Sequence, residues 1–110
     1  MESHALADVA ARQRVAGRPY LEFIRVPDLS VGLYVLPAGG VDGQRPHEED
    51  EVYHVVSGRA RMTVGEETVT VAAGSVVYVP ARVPHRYHDI EEELRILVFF
   101  APAETDPTTG

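Results

Sequence analysis

Residues 39–58 read GGVDGQRPHEEDEVYHVVSG, and residues 74–89 read GSVVYVPARVPHRYHD. Four of the chain's five histidines lie in these stretches: His47, His54, His85 and His88. Strand parity sorts them, because successive side chains on a strand point to opposite faces. His47 and Glu51 share one face with Tyr53 and Val55, and His54 points the other way. His85, Tyr87 and Asp89 share a face by the same rule, with His88 opposite. Two such strands facing each other inside a barrel bring His47, Glu51 and His85 together. Two imidazoles and one carboxylate on one side of a metal form the facial set that holds Fe(II) and leaves positions open for water, substrate or oxygen. The same donors suit zinc, nickel or manganese.

The flanking sequence is rich in short strands punctuated by glycine and proline. Strands are expected at Tyr20–Val26, Leu29–Leu36, Val52–Ser57, Ala60–Val64, Thr68–Val71, Val76–Val79, His85–Ile90 and Leu94–Phe100. Gly58 breaks one run, Gly65-Glu66-Glu67 reads as a hairpin turn, and Glu91-Glu92-Glu93 as another turn. No helix separates the strands, so the pattern indicates an all-β sandwich or barrel. Residues 1–18 form a separate N-terminal segment. Its alanine-rich part from His4 to Ala16 is helical in character, with Ser3 as a candidate cap and Gly17 and Pro19 as its end. Residues 19–101 make the barrel domain. Residues 102–110 have nothing to bury and are expected to be a disordered tail.

Composition narrows the chemistry. The 110 residues make one domain, 45% apolar and 25% charged. With no cysteine, disulfides, zinc ribbons, iron–sulfur clusters and thiolate nucleophiles are excluded. Ten basic against 17 acidic residues give a net charge of −7, which argues against nucleic acid as a partner. No apolar stretch reaches a membrane span and no signal-peptide core is present, so no membrane partner and a cytoplasmic location are expected. Gly39, Gly40 and Gly43 lack the lysine and helix of a phosphate loop, and Ser57 and Ser75 form no nucleophile elbow. Met62 and Phe23 read as core.

The two stretches resemble the two motifs of the cupin family, G-x5-H-x-H-x3/4-E-x6-G and G-x5-P-x-G-x2-H-x3-N. Gly39, His47, Glu51 and Gly58 match the first, and Gly74, Pro80 and His85 the second, with 15 residues between Gly58 and Gly74. The resemblance implies a double-stranded β-helix, the cupin or jelly-roll barrel, preceded here by the short helical segment. It also implies a dimer and a metal held by the motif histidines and glutamate. Three positions depart from the pattern. Arg45 replaces the leading histidine, Arg82 the second motif's glycine and Asp89 its asparagine. Arginine is no metal ligand. The missing ligand could be the Gln44 amide oxygen or water, or the pocket could be metal-free.

The metal candidates are therefore His47, Glu51, His85 and Gln44, and the candidates for contact with substrate are Tyr53, Tyr87 and Arg45. Tyr78 is a further candidate for the cavity lining. Arg45 could instead pair with the Glu48–Asp50 run or be a solvated loop residue. One divalent metal is expected, Fe(II) foremost, in a small-molecule dioxygenase. A zinc or manganese isomerase, lyase or decarboxylase is the alternative. A metal-free acid–base pair of His85 and Glu51, or a ligand-binding module without turnover, completes the range. Two neutral imidazoles and a carboxylate leave a divalent ion with a charge of about +1, which favours a small organic anion. A homodimer is expected because Leu33–Leu36 and Ile96–Phe100 are apolar on both faces; the N-terminal segment or a second subunit would cover the outer one.

Overall fold

The computed structural model describes residues 1–105. One helix, α1 (Leu6–Ala16), precedes six strands: β1 (Tyr20–Val26), β2 (Leu29–Leu36), β3 (Asp50–Val64), β4 (Glu67–Ala72), β5 (Val76–Val79) and β6 (His85–Ala101). All pairings are antiparallel, in the order β1-β2-β6-β3-β4, and β5 pairs with the first part of β3, opposite β6. Among the described residues no helix is long and apolar enough to cross a membrane.

β3 and β6 are longer than their sequences suggest. Gly58 does not end β3, and Glu91-Glu92-Glu93 does not turn; each lies within a continuous strand. The two strands pair along both halves, with register shifts between Val55 and Arg61. Two breaks that face each other become one shared bend, because the ladder bonds on either side hold the chain extended through it. Gly58 lies at φ 100, and a Cβ there would collide with the Glu93 carbonyl. The bend lets β3 pair with β5 and the end of β6 in its first half, and with β4 and the start of β6 in its second. That is how the chain curls into a barrel.

Alternation then fills the interior. Tyr53, Val55, Ala60 and Met62 of β3 point inward with Tyr87, Ile90, Leu94, Ile96, Val98 and Phe100 of β6. The outer face of β2 is covered within the chain: Leu33 is fully buried against Val9 and Ala10 of α1, with Leu6, Leu21, Phe23 and Val35 around them. The helix starts after Ala5, with no side-chain cap, so Ser3 does not cap it. It stops at Gly17, whose φ of 71 suits glycine and whose N–H bonds to the Gln13 carbonyl.

The start of the segment after β6 packs against the barrel and is not a loose tail. Ala103 and Glu104 are buried, where nothing was expected to be. The Ala103 N–H bonds to the Pro27 carbonyl at 3.2 Å and the Glu104 N–H to Ser30 Oγ at 2.9 Å. Arg25 Nη2 donates to the Glu104 carbonyl at 2.9 Å. These bonds satisfy backbone groups that a loose tail would leave to water. The rest of the expected disordered segment, 106–110, lies outside the described residues.

Substituting Gly58 by alanine tests the shared bend. The new Cβ meets backbone, which cannot swing aside, and the positive φ adds strain, so a loss of about 2 kcal/mol or more is expected in urea unfolding. A loss below about 0.5 kcal/mol, small beside the usual cost of overpacking, would show that the bend does not require glycine.

Candidate metal centre

Three segments bring the site together. The loop before β3 carries Asp42, Gln44 and His47, the start of β3 carries Glu51 and Tyr53, and the start of β6 carries His85 and Tyr87. His47 lies outside β3, so the loop, not strand parity, places its ring. The loop is tied down where the Arg82 N–H bonds to the His47 carbonyl at 2.6 Å. Arg82 makes that bond at φ 65, and Asp89 lies at φ 48. Both departures from the second motif thus occupy the left-handed region that glycine and asparagine enter most readily.

His47, Glu51 and His85 are buried, and each offers a ligand atom within 4.8 Å of the others. Glu51 Oε1 lies 3.3 Å from His47 Nδ1 and 3.2 Å from His85 Nε2. Gln44 Oε1 is 3.2 Å from the same His85 nitrogen and accepts from the Tyr53 hydroxyl at 2.8 Å.

Proton positions follow from the outer partners. His85 Nδ1 faces the Val83 carbonyl at 2.8 Å. A carbonyl only accepts, so Nδ1 carries the hydrogen and the neutral ring turns a lone pair at Nε2 inward. His47 Nε2 faces Glu104 Oε2 at 3.0 Å. That carboxylate also only accepts, so the neutral ring turns a lone pair at Nδ1 inward. The Gln44 amide is oriented likewise, because its Nε2 donates to Asp42 Oδ2 at 2.7 Å and its oxygen must then point to the site. Asp42 is itself held by the Tyr34 hydroxyl at 2.6 Å, the Tyr87 N–H at 2.8 Å and the Gln44 N–H at 3.3 Å. Four acceptor atoms from His47, Glu51, His85 and Gln44 therefore converge. Acceptors facing one another in a buried space repel unless a cation lies between them.

Without a metal, a proton takes that place. Burial alone would lower the His47 pKa, but hydrogen bonds and charge from Glu104 and Glu51 outweigh it and raise the value to about 9. Glu51 shows the converse. Burial opposes its charge, yet His47, His85 and Tyr53 hold its carboxyl below the usual carboxylate range. Burial, then the nearby Glu51 charge, pushes the Tyr53 and Tyr87 hydroxyls well above the ordinary tyrosine value, so both stay protonated. The two rings meet edge to face at 5.2 Å, and the buried Tyr87 hydroxyl has no hydrogen-bond partner among the described residues.

Gln44, Tyr53 and Tyr87 thus sit with the three metal candidates. Arg45 is exposed on the same loop, and the ion pair with Glu48 is made by Arg82, at 3.7 Å. Tyr78 is exposed on β5 and does not line the site. His54 points away from it, and His88 bonds to Thr63 and Asp89 instead. Two functional side chains escape sequence reasoning. Asp42 carries a weak signal, an acid inside a glycine-rich loop. Glu104 carries none.

The family model described as Cupin domain matches residues 32–100. An uncharacterized protein of Streptomyces coelicolor is 53% identical over 96% of this chain and all of its own length. Among solved structures, TT1209 from Thermus thermophilus has a TM-score of 0.76 at 26% identity, over 94% of this chain and 99% of that one. A Methanocaldococcus jannaschii RmlC-like cupin family protein with a double-stranded β-helix fold has a TM-score of 0.68 at 21% identity, over 76% and 78% of the two chains.

The Asp42 network can be tested without metal. In Asp42→Asn one carboxylate oxygen becomes an NH2, which meets either the Tyr34 hydroxyl and the Gln44 backbone N–H or the Gln44 amide and the Tyr87 N–H, and a loss of about 2–3 kcal/mol in urea unfolding is expected. Tyr34→Phe, which removes one donor, should cost about 1 kcal/mol. Equal losses in the two variants would mean that Asp42 does not organise the cluster.

Proposed function

We propose that this chain, which belongs to the cupin domain family, holds one divalent metal through His47, Glu51 and His85, with Gln44 as fourth ligand, and acts on a small organic anion. The observation that carries the reading is the convergence of four acceptor atoms: the Glu51 carboxylate, and one atom each of His47, His85 and Gln44, whose N–H groups are committed to acceptors behind them. Such a buried set is stabilised by a cation and is costly without one.

Fe(II) is the ion that two histidines and a carboxylate fit first, and it supplies redox chemistry at open coordination positions, as a dioxygenase needs. The chain's residues would do the rest. Arg45 and Arg82, both exposed on the loops that frame the site, would attract an anion. Tyr53 holds the Gln44 oxygen in place. The Tyr87 hydroxyl would donate a hydrogen bond to the bound substrate. That uncommitted, protonated hydroxyl also favours a second reading, a non-redox lyase, isomerase or decarboxylase in which Tyr87 supplies the proton.

Elemental analysis after reconstitution tests the ligand set. Wild type and His54→Ala should hold about one equivalent, and His85→Ala less than a tenth of that, since a lost ligand leaves an incomplete site. Gln44→Ala should weaken binding about tenfold, the scale of a lost polar partner. Wild type without bound metal would overturn the proposal. Oxygen uptake by iron-loaded but not zinc-loaded protein on a panel of small carboxylic acids would support the oxidative reading. Turnover by the zinc form without oxygen would support the second.

A further inference from the structure

The segment after β6 reaches back into the barrel. Its backbone is anchored by Pro27, Ser30 and Arg25, which stand at the β1–β2 turn and its flanks. Those anchors leave the Glu104 side chain fully buried, with Oε2 3.0 Å from His47 Nε2. His47 is thus gripped from two sides, by Glu104 at Nε2 and by Glu51 at Nδ1. His85 is gripped in the opposite sense, with Nδ1 outward on Val83 and Nε2 inward. The two rings therefore present different nitrogens to the same point.

We infer that Glu104 is a positioning residue for the metal centre: it fixes the hydrogen of His47 on Nε2 and so makes Nδ1 the ligand atom. The role rests on the metal reading above. Its physics is that of a carboxylate behind a ligating imidazole, which sets the tautomer, holds the ring angle and makes the inward nitrogen more basic. A neutral imidazole without this partner divides its hydrogen between two nitrogens and can turn. The tail segment would thereby couple the order of the chain's last described turn to the affinity of a site on the first motif.

Zinc is a suitable probe, because it is diamagnetic and can be titrated into the full-length protein against a chromophoric chelator. Glu104→Ala should weaken zinc binding about 10–100-fold, the usual range for loss of such a partner. Glu104→Gln keeps the shape and a neutral acceptor, so its loss should be smaller. Arg25→Ala, which frees the tail's backbone from an exposed side chain, should give a loss in the same direction without disturbing the core. Long-range proton–nitrogen NMR spectra of the histidines give a readout that a merely structural role would not move. In wild type they should show zinc on His47 Nδ1 and hydrogen on Nε2; in Glu104→Ala the two should become mixed or exchange. Far-ultraviolet circular dichroism checks that each variant is folded. Zinc on Nε2 in wild type would overturn the inference. So would folded Glu104→Ala with affinity within twofold of wild type and the same ligating nitrogen. Wild type that binds no zinc would overturn the metal reading first and this role with it; zinc bound equally, and through the same nitrogen, by wild type and Glu104→Ala would overturn this role alone.

Discussion

The pairing of β3 with β6 along both of their halves governs the rest of the molecule. A straight fifteen-residue strand would present its inward residues to one flat layer. Bent at Gly58 against Glu93, the same strand closes around its own interior, and β6 follows it. The start of β3 and the start of β6 then open onto one end of the barrel. Glu51 is the second residue of β3 and His85 the first of β6, so the two approach to 3.2 Å although 34 positions separate them in the chain.

Around Glu51 the electrostatics are organised from the outside in. The two imidazoles and the amide have their hydrogens drawn outward: His85 by Val83, His47 by Glu104, and the Gln44 amide by Asp42. Hydrogen-bond satisfaction in this second layer thus dictates which atoms face inward, and they are acceptors. The arrangement is strained in the absence of positive charge, which the proton held by His47 up to about pH 9 expresses. Folding and cation binding are coupled in such a site, because residues apart in sequence acquire a common charge requirement only once they are buried together.

Arg45 and Arg82 depart from the motif while the local geometry accommodates them. At Arg82 the left-handed backbone remains, with its N–H on the His47 carbonyl, although a non-glycine residue there costs about 1–2 kcal/mol. At Arg45, where the motif has a histidine, the neighbouring Gln44 amide turns inward, oriented by Asp42 and Tyr53. The loop's irregular path makes this possible: a residue one position away on a strand would point to the opposite face.

Local pattern determined much of this protein. Alternation and glycine–proline punctuation gave the strand bounds of β1, β2 and β5, and motif spacing singled out His47, Glu51 and His85, because each of these depends on residues near one another in the chain. Parity correctly turned His54 and His88 away, since a strand's faces are decided residue by residue. The same reasoning failed at Tyr78, whose short edge strand presents it to solvent, and at Glu91-Glu92-Glu93, whose polar run is held extended by pairing with β3. Only the tertiary structure decided the tautomers of the two histidines, the direction of the Gln44 amide and the burial of Glu104. Each of these is set by a partner distant in sequence, and hydrogen bonds of that kind leave no periodicity or local composition to read.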